Sequence, residues 1–142
     1  MNYKLECVQD WQAKRLEQYF PFIFEQFERL AIRFPSDFCL EIIVNSLAKG
    51  ERKLWLIFNK NNKPMAILTT ITDYCQMGKL RLRIMELAGV GGLSLTYLMP
   101  VLEQYAKKSE IKTIIAYGRK GWQKALKKHG FKDELITYKK EI

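Results

Sequence analysis

The stretch YGRKGWQKALKKHGF, residues 117–131, decides the fold of this chain. Its pattern is typical of a strand end, a turn hinged at glycine and a short helix. The apolar positions of that helix fall on one face: Trp122, Ala125, Leu126 and His129. Gly130 follows where the C-terminal cap of a helix favours a residue with positive φ. A last strand is expected after Phe131, so the segment predicts a strand, a helix and a second strand.

Upstream of this segment, alternating residues or strand-like apolar runs predict five strands: Tyr3–Val8, Leu54–Phe58, Met65–Ile71, Leu80–Val90 and Thr113–Tyr117. Helical spacing predicts the intervening helices: one from Trp11 with Asp10 as its N-cap, one restarted at Pro21, one from the cap Ser36 to the stop at Gly50, and one ending at Lys108. Because proline is tolerated only in the first turn of a helix, Pro100 places the regular start of the last of these no earlier than about Thr96. The pattern predicts an α/β fold.

In this order of elements, the chain resembles the C-terminal half of the GNAT superfamily of acyl-CoA-dependent N-acetyltransferases. It is most similar to small GNAT-like proteins of tailed bacteriophages, in which a Gly-Arg-x-Gly-Trp turn, a basic helix and a Gly-Phe pair precede the last strand. The resemblance implies a mixed, mostly antiparallel sheet with helices on both faces. It also implies a parallel pair that splays between the strand ending at Val90 and the strand Thr113–Tyr117.

Composition limits the class of protein. At 142 residues and 48% hydrophobic, the chain is long enough for one domain with a full core, and we expect a single domain over residues 1–142. No apolar run of eighteen residues occurs, and the N-terminus lacks the apolar core of a secretion signal. We therefore expect no membrane partner. The expected location is the cytoplasm of the producing cell, with possible association with the virion.

The cysteines do not indicate a metal site. Cys7, Cys39 and Cys75 are widely spaced, and the chain has a single histidine. A zinc site needs about four clustered thiolate or imidazole ligands, so no metal is expected. The three thiols are expected to be reduced and buried.

The first candidate site is the glycine loop after the strand Leu80–Val90. In active GNAT enzymes this turn carries Gln/Arg-x-x-Gly-x-Gly/Ala, because backbone N–H groups must approach the coenzyme pyrophosphate. An ungapped match puts Val90 at the Gln/Arg position and the bulky Leu93 and Leu95 at the small positions. The alternative is a tight turn that uses glycine for its φ. The candidate cofactor-binding residues are Val90, Gly91, Gly92, Leu93 and, where the family's C-terminal helix opens with Asn, Arg119.

Glu86 is the second candidate. On the alternation of its strand it continues the side of the apolar residues Leu82 and Ile84. A carboxylate among apolar neighbours is suited to act as a general base, and many GNAT enzymes use a glutamate on this strand. The alternatives are an ion pair with a nearby Arg or Lys, or a solvent-facing position at a bulge.

The general acid of the family is missing. A Tyr four residues before the Gly of Gly-Phe protonates the departing thiolate in active relatives, and here that position is Leu126. Tyr117 is the candidate replacement, with Tyr105 and Tyr97 as further alternatives, each of which requires a different geometry.

A basic surface is the third candidate site. Of the formal net charge of +9, residues 72–142 carry +7. Its cationic cluster has no acid within residues 119–128 and consists of Arg119, Lys120, Lys124, Lys127 and Lys128. Such clusters bind phosphate, nucleic acid or acidic proteins, although a solvated helix face is the more ordinary explanation. Because Trp122 lies on the buried face, no aromatic platform supports nucleic acid, and a phage or host protein is the favoured partner.

These features favour a phage-type GNAT-like protein with a degraded acyl-CoA motif. We expect it to be non-catalytic and to act through protein contacts in virion assembly or in the host cell. The alternative is an active acetyl-CoA-dependent N-acetyltransferase on a small amine or a protein amine.

Overall fold

The computed structural model of the chain describes residues 3–90, 98–118 and 120–142. Within these residues the elements follow in this order: β1 (Lys4–Cys7), α1 (Ala13–Glu17), α2 (Phe20–Arg33), α3 (Leu40–Ala48), β2 (Lys53–Phe58), β3 (Pro64–Tyr74), β4 (Leu80–Gly89), α4 (Met99–Lys108), β5 (Thr113–Ala116), a 3₁₀ turn (Lys120–Trp122) and α5 (Gln123–Lys128). None of the described helices is long and apolar enough to cross a membrane.

The described strands form one sheet in the order β1-β2-β3-β4-β5. The pairs from β1 to β4 are antiparallel, and β4 and β5 are parallel. A parallel pair needs a crossover connection, and α4 lies in the connection between β4 and β5. The expected mixed, mostly antiparallel sheet is confirmed.

Helices cover both faces of the sheet, as the resemblance implied. On one face, Leu102 of α4 packs in a core with Leu82 and Ile84 of β4. On the other face, Phe27 of α2 and Ile43 of α3 pack in a second core. Apolar residues of β2 and β3 alternate between the two cores, because successive side chains of a strand point to opposite faces.

The prolines sit where the sequence placed them, whereas two predicted helix caps are wrong. Pro21 and Pro100 both lie in the first turn of a helix, where the missing N–H costs no hydrogen bond. The predicted caps Asp10 and Ser36 do not begin a helix, since α1 starts at Ala13 and α3 at Leu40. Asp and Ser are also the common residues of turns, so their presence alone does not locate a helix start.

The buried stripes of α2 and α3 are partly different from those predicted. Phe24 and Ile42 were expected in the core but are 48% and 63% exposed. The polar residues Gln26 and Ser46 are buried instead. Both helices therefore turn a partly polar face toward the sheet, which hydrophobic spacing does not predict.

The C-terminal region confirms the helix and contradicts the last strand. Gly130 has a φ of 82° and follows α5 as the predicted cap. Residues 131–142, all within the described chain, form neither helix nor strand. Phe131 packs on the core, but Leu135 and Tyr138 are each 89% exposed. Residues 131–142 pair with no strand in the part of the chain that the structure describes.

Candidate functional site

A bulge in β4 sets the direction of the Glu86 side chain. Thr69 pairs with Glu86 and Thr70 with Ile84, so Met85 is an extra residue on β4. An extra residue moves every following side chain to the opposite face of the sheet. Glu86 therefore does not share the face of Leu82 and Ile84, and the prediction from simple alternation is wrong. It lies on the side covered by α2 and α3, as does Ala88 two residues later.

Both oxygens of the Glu86 carboxylate have protein partners. The Thr69 hydroxyl donates a hydrogen bond of 2.7 Å to Oε2, and Thr69 Oγ1 accepts one of 3.1 Å from the Glu86 N–H. Arg52 Nη2 lies 2.9 Å from Oε1. Only 11% of the Glu86 side chain and 13% of the Arg52 side chain are exposed. Of the alternatives given for Glu86, the structure shows the ion pair. The carboxylate lies between the Thr69 hydroxyl and the Arg52 guanidinium.

The Arg52–Glu86 contact is an ion pair without hydrogen-bond geometry. Neither Glu86 Oε1 nor Arg52 Nε makes a hydrogen bond to any other group in the described chain. The guanidinium is also held by Ser46, because Arg52 Nη1 donates to Ser46 Oγ at 3.4 Å. Gln9 Nε2 donates to the backbone carbonyl of Arg52 at 3.2 Å and so positions its main chain. Attraction between opposite charges in a site shielded from water accounts for the pairing.

Sequence reasoning missed Arg52. It lies just before β2, in the turn after α3, and approaches Glu86 only because Leu54, Thr69 and Glu86 stand opposite one another across three strands. That register depends on the bulge in β4. The sequence supports only the general expectation that an isolated carboxylate on a sheet pairs with a cation. It does not identify which of the 24 Lys and Arg residues is that cation.

An open cavity of about 470 Å³ lies beside Arg52 on the same side of the sheet. It is bounded by α3, the following turn and β3, with these lining residues: Ile42, Asn45, Ser46, Lys49, Glu51, Arg52 and Ile71. Its walls combine two isoleucines with charged groups of both signs. Arg52 forms part of the wall of this open cavity.

The parallel pair covers only the first part of β4. Pairing between β4 and β5 runs from Arg81 opposite Thr113 to Ile84 opposite Ala116. β4 continues to Gly89, whereas β5 ends at Ala116. The part of β4 beyond Ile84 therefore has no β5 partner. The splay that the resemblance implied stays a prediction.

The described residues give only part of the glycine loop. Val90 is 42% exposed, and its N–H donates to the Met65 carbonyl at 2.8 Å, so this candidate anchor continues the sheet. The predictions for Gly91, Gly92, Leu93, Leu95, Tyr97 and Arg119 lie outside the described residues.

Tyr117 stands at the end of β5 beside a charged network. Its side chain is exposed, and its hydroxyl accepts a hydrogen bond from Arg83 Nη1. Asp73 accepts from both Arg81 Nε and Arg83 Nε at 2.9 Å. These hydrogen bonds, above all the one from Arg81, lower the pKa of Asp73. The candidate acid Tyr117 is therefore engaged with a guanidinium, and no described contact joins it to Glu86.

Tyr105, a further candidate acid, is engaged as well. Tyr105 Oη accepts a 3.0 Å hydrogen bond from Lys53 Nζ, and its ring packs edge-on against Trp55 with centroids 4.8 Å apart. Leu126, at the position of the family's tyrosine, is half-buried and packs on the core together with Trp122. The prediction that Trp122 faces the core is confirmed.

Three of the predicted cations share one exposed face of α5. Lys124, Lys127 and Lys128 are exposed, and their spacing of three and four residues makes them neighbours on a helix. Lys127 lies 3.7 Å from Asp133, a loose surface pair. The side chain of Lys120 lies outside the described part of the chain. The described portion of the basic surface is therefore a cluster of three lysines.

The cysteines are free, as expected, but not all are buried. Cys7 and Cys75 are half-buried, and Cys39 is exposed. Cys39 directly precedes α3, and the turn before this helix is open to solvent. In the described residues no group of His, Cys, Asp and Glu is arranged to hold a metal.

Comparison with known proteins identifies solved structures with a similar fold. No family model and no curated protein sequence matches the chain. Solved structures match over nearly its full length. A probable acetyltransferase has a TM-score of 0.67 at 11% identity, covering 100% of this chain and 98% of its own. A putative acetyl transferase from Pyrococcus furiosus has a TM-score of 0.65 at 18% identity, and the match covers 99% of this chain and 100% of its own.

A third similar structure is a predicted acetyltransferase with acetyl-CoA from Clostridium acetobutylicum, with a TM-score of 0.63 at 17% identity, covering 99% of this chain and 95% of its own. Identities this low show the fold alone. The chain has the fold of the GNAT acetyltransferases.

Proposed function

We propose that this GNAT-fold protein does not catalyse acetyl transfer and acts by binding another protein through the basic face of α5. The observation that carries the proposal is the state of Glu86, whose two carboxylate oxygens face Thr69 and Arg52. The fold is retained while the group best placed to act as a base is committed to an internal contact.

The Arg52 pairing opposes general-base catalysis for two reasons. A base must come within hydrogen-bond reach of the amine, about 2.6 to 3.2 Å between heavy atoms. Arg52 Nη2 already stands 2.9 Å from Oε1, on the side of Glu86 that Thr69 leaves open. A fixed guanidinium also repels the ammonium form in which most amine substrates arrive. Catalysis by Glu86 would require Arg52 to move away and leave a buried charge unpaired.

The two candidate acids that the structure describes are engaged in other contacts. Leu126 cannot donate a proton to a thiolate. Tyr117 and Tyr105 each accept a hydrogen bond from a cation, Arg83 and Lys53 respectively. Their hydroxyls are held by structural contacts on different parts of the sheet.

Charge supports an acidic protein as the partner. Lys124, Lys127 and Lys128 form one exposed cationic face in the half of the chain that carries +7 of the net +9. Complementary charge speeds association and selects partners. Nucleic acid is the weaker choice, because Trp122 at the start of α5 packs on the core and offers no stacking platform. The resemblance to phage proteins makes a phage or host protein the expected partner, in virion assembly or in the host cytoplasm.

An acetyl-CoA-dependent N-acetyltransferase is the second candidate. It is favoured by the fold itself, in which β4 continues beyond the last residue paired with β5. A structure of similar fold is described with acetyl-CoA. In this reading, the cofactor lies beside Val90 and the glycine loop, and Arg52 moves when substrate enters.

A capture experiment tests the proposal. The protein is used to pull partners from virion or infected-cell lysate, with and without nuclease, and the complex is rebuilt from purified components. The test variant reverses Lys124, Lys127 and Lys128 to Glu. The matched control makes the same charge change at exposed lysines elsewhere in the chain, namely Lys14, Lys60 and Lys63.

A defined protein that survives nuclease, binds more weakly at high salt and is lost only with the α5 variant supports the proposal. Recovery of nucleic acid alone, or of no partner, contradicts it. Equal loss with both variants also contradicts it, because binding would then follow net charge and not this face.

A further inference from the structure

The open cavity of about 470 Å³ beside Arg52 is lined in part by exposed polar side chains. Asn45 and Lys49 lie one turn apart on α3, and Glu51 follows in the turn that leads to β2. In the part of the chain that the structure describes, none of these three side chains makes a hydrogen bond or an ion pair. All three are therefore available to a molecule that enters the cavity.

The ion pair of Arg52 and Glu86 adds two groups that are not satisfied by the protein. Arg52 Nε and Glu86 Oε1 are shielded from water, and neither has a hydrogen-bond partner among the described residues. Nε and Nη2 form one edge of the planar guanidinium, which is shaped to donate to two oxygens. Glu86 supplies an oxygen only to Nη2, at 2.9 Å. Since buried polar groups in proteins are almost always hydrogen-bonded, a group that accepts from Nε and donates to Oε1 completes the pair.

The charges around the cavity cancel. Arg52 is neutralised by Glu86, and the remaining charged side chains of the wall, Lys49 and Glu51, have opposite signs. An anion or a cation therefore gains little by entering. The rest of the wall includes apolar surface from Ile42 and Ile71. The volume lies within the range of about 300 to 1,000 Å³ that is typical of sites for small molecules.

We infer that this cavity binds a small neutral polyol, a molecule with several hydroxyl groups such as a monosaccharide. A hydroxyl both accepts and donates, so one hydroxyl bridges Arg52 Nε and Glu86 Oε1. The contact of 3.4 Å from Arg52 Nη1 to Ser46 is long and weak, which leaves the guanidinium free to turn toward the cavity and admit it. Further hydroxyls reach Asn45 and Lys49. The site uses neither the basic face of α5 nor an acyl-CoA.

NMR titration of the ¹⁵N-labelled protein tests the inference. The neutral probes are glucose, galactose and inositol, and the charged probes are acetate, inorganic phosphate and putrescine. Arg52→Lys keeps a cation beside Glu86 but removes the planar fork of donors. Asn45→Ala removes an exposed amide from α3 with little risk to the fold, and Asn61→Ala makes the same change at an exposed position of the hairpin loop after β2 as the matched control. Circular dichroism checks that each variant folds.

We expect at least one polyol to give saturable amide shifts confined to residues 42–52 and to the part of β3 around Ile71. Its affinity should fall by roughly tenfold or more in Arg52→Lys and in Asn45→Ala, the effect of losing about one hydrogen bond, and stay unchanged in Asn61→Ala.

Three results overturn the inference. The first is the absence of a saturable shift with every polyol. The second is polyol binding that is indifferent to both Arg52→Lys and Asn45→Ala. The third is tighter binding of a charged probe at the same residues, because the site would then select charge. A crystal soaked in the polyol that shows only a water molecule between Nε and Oε1 overturns it as well.

Discussion

Arg52 and Glu86 form an ion pair, 2.9 Å between Nη2 and Oε1, across the sheet from the core that contains Leu82 and Ile84. The pair connects the turn after α3 with the bulged part of β4. Glu86, the base that the sequence suggested, is thereby part of a structural contact. Both its energetic and its functional consequences are measurable.

Arg52→Ala should lower the free energy of unfolding by about 3 kcal/mol, because it leaves the nearly buried Glu86 carboxylate without a cation partner. Urea unfolding measures the loss. Lys4→Ala is the control, since Lys4 pairs with Glu6 at 3.1 Å but is 65% exposed, and its removal should cost less than about 1 kcal/mol. In a double-mutant cycle, Arg52→Ala with Glu86→Ala should cost less than the sum of the single changes. Additive losses would show that the two side chains are not coupled.

Two glycines of the C-terminal turn should respond differently to alanine. A Cβ on Gly118 would lie 2.6 Å from Cε3 of the packed Trp122 ring, whereas a Cβ on Gly121 would meet open space. Gly118→Ala should therefore destabilise the protein by about 1 to 3 kcal/mol, and Gly121→Ala should be close to neutral. Thermal or urea unfolding gives both values. Equal effects would mean that the indole does not pack over Gly118.

The cysteines should differ in reactivity. A hydrogen bond from the Lys79 backbone lowers the pKa of the Cys75 thiol, whereas burial raises the pKa of the Cys7 thiol. Since the thiolate is the reactive form, alkylation near neutral pH should be several times faster at Cys75. The rate at Cys75 should also level off at a lower pH than the rate at Cys7. Peptide mapping by mass spectrometry measures each rate, and faster labelling of Cys7 would contradict the assignment.

The sequence predicted the sheet and the C-terminal helix because both depend on local signals. Alternation marks each strand, and Gly130 marks the end of α5. The side of Glu86 could not be predicted, because the extra residue Met85 is visible only in the pairing with β3. Arg52 was missed for a related reason, since its position depends on register across three strands.

The last strand was predicted from β-prone composition and from the resemblance, but composition does not supply a partner. Residues 131–142 form no strand in the chain by itself, although Leu135 and Tyr138 have the expected character. A strand requires pairing in addition to propensity. The predictions of Asp10 and Ser36 as helix N-caps were wrong for a similar reason. Asp and Ser are favoured at helix N-termini, but they are also common in turns.

Titration with acetyl-CoA tests the central claim, that the GNAT fold here serves binding and not catalysis. Isothermal calorimetry should give no saturable heat, or a dissociation constant weaker than about 10 μM, corresponding to roughly −7 kcal/mol. The reason is that Val90, Leu93 and Leu95 stand in the sequence where the family has a polar anchor and small residues. A dissociation constant below about 10 μM, together with acetyl transfer that falls by about two to four orders of magnitude in Glu86→Gln, would contradict the account.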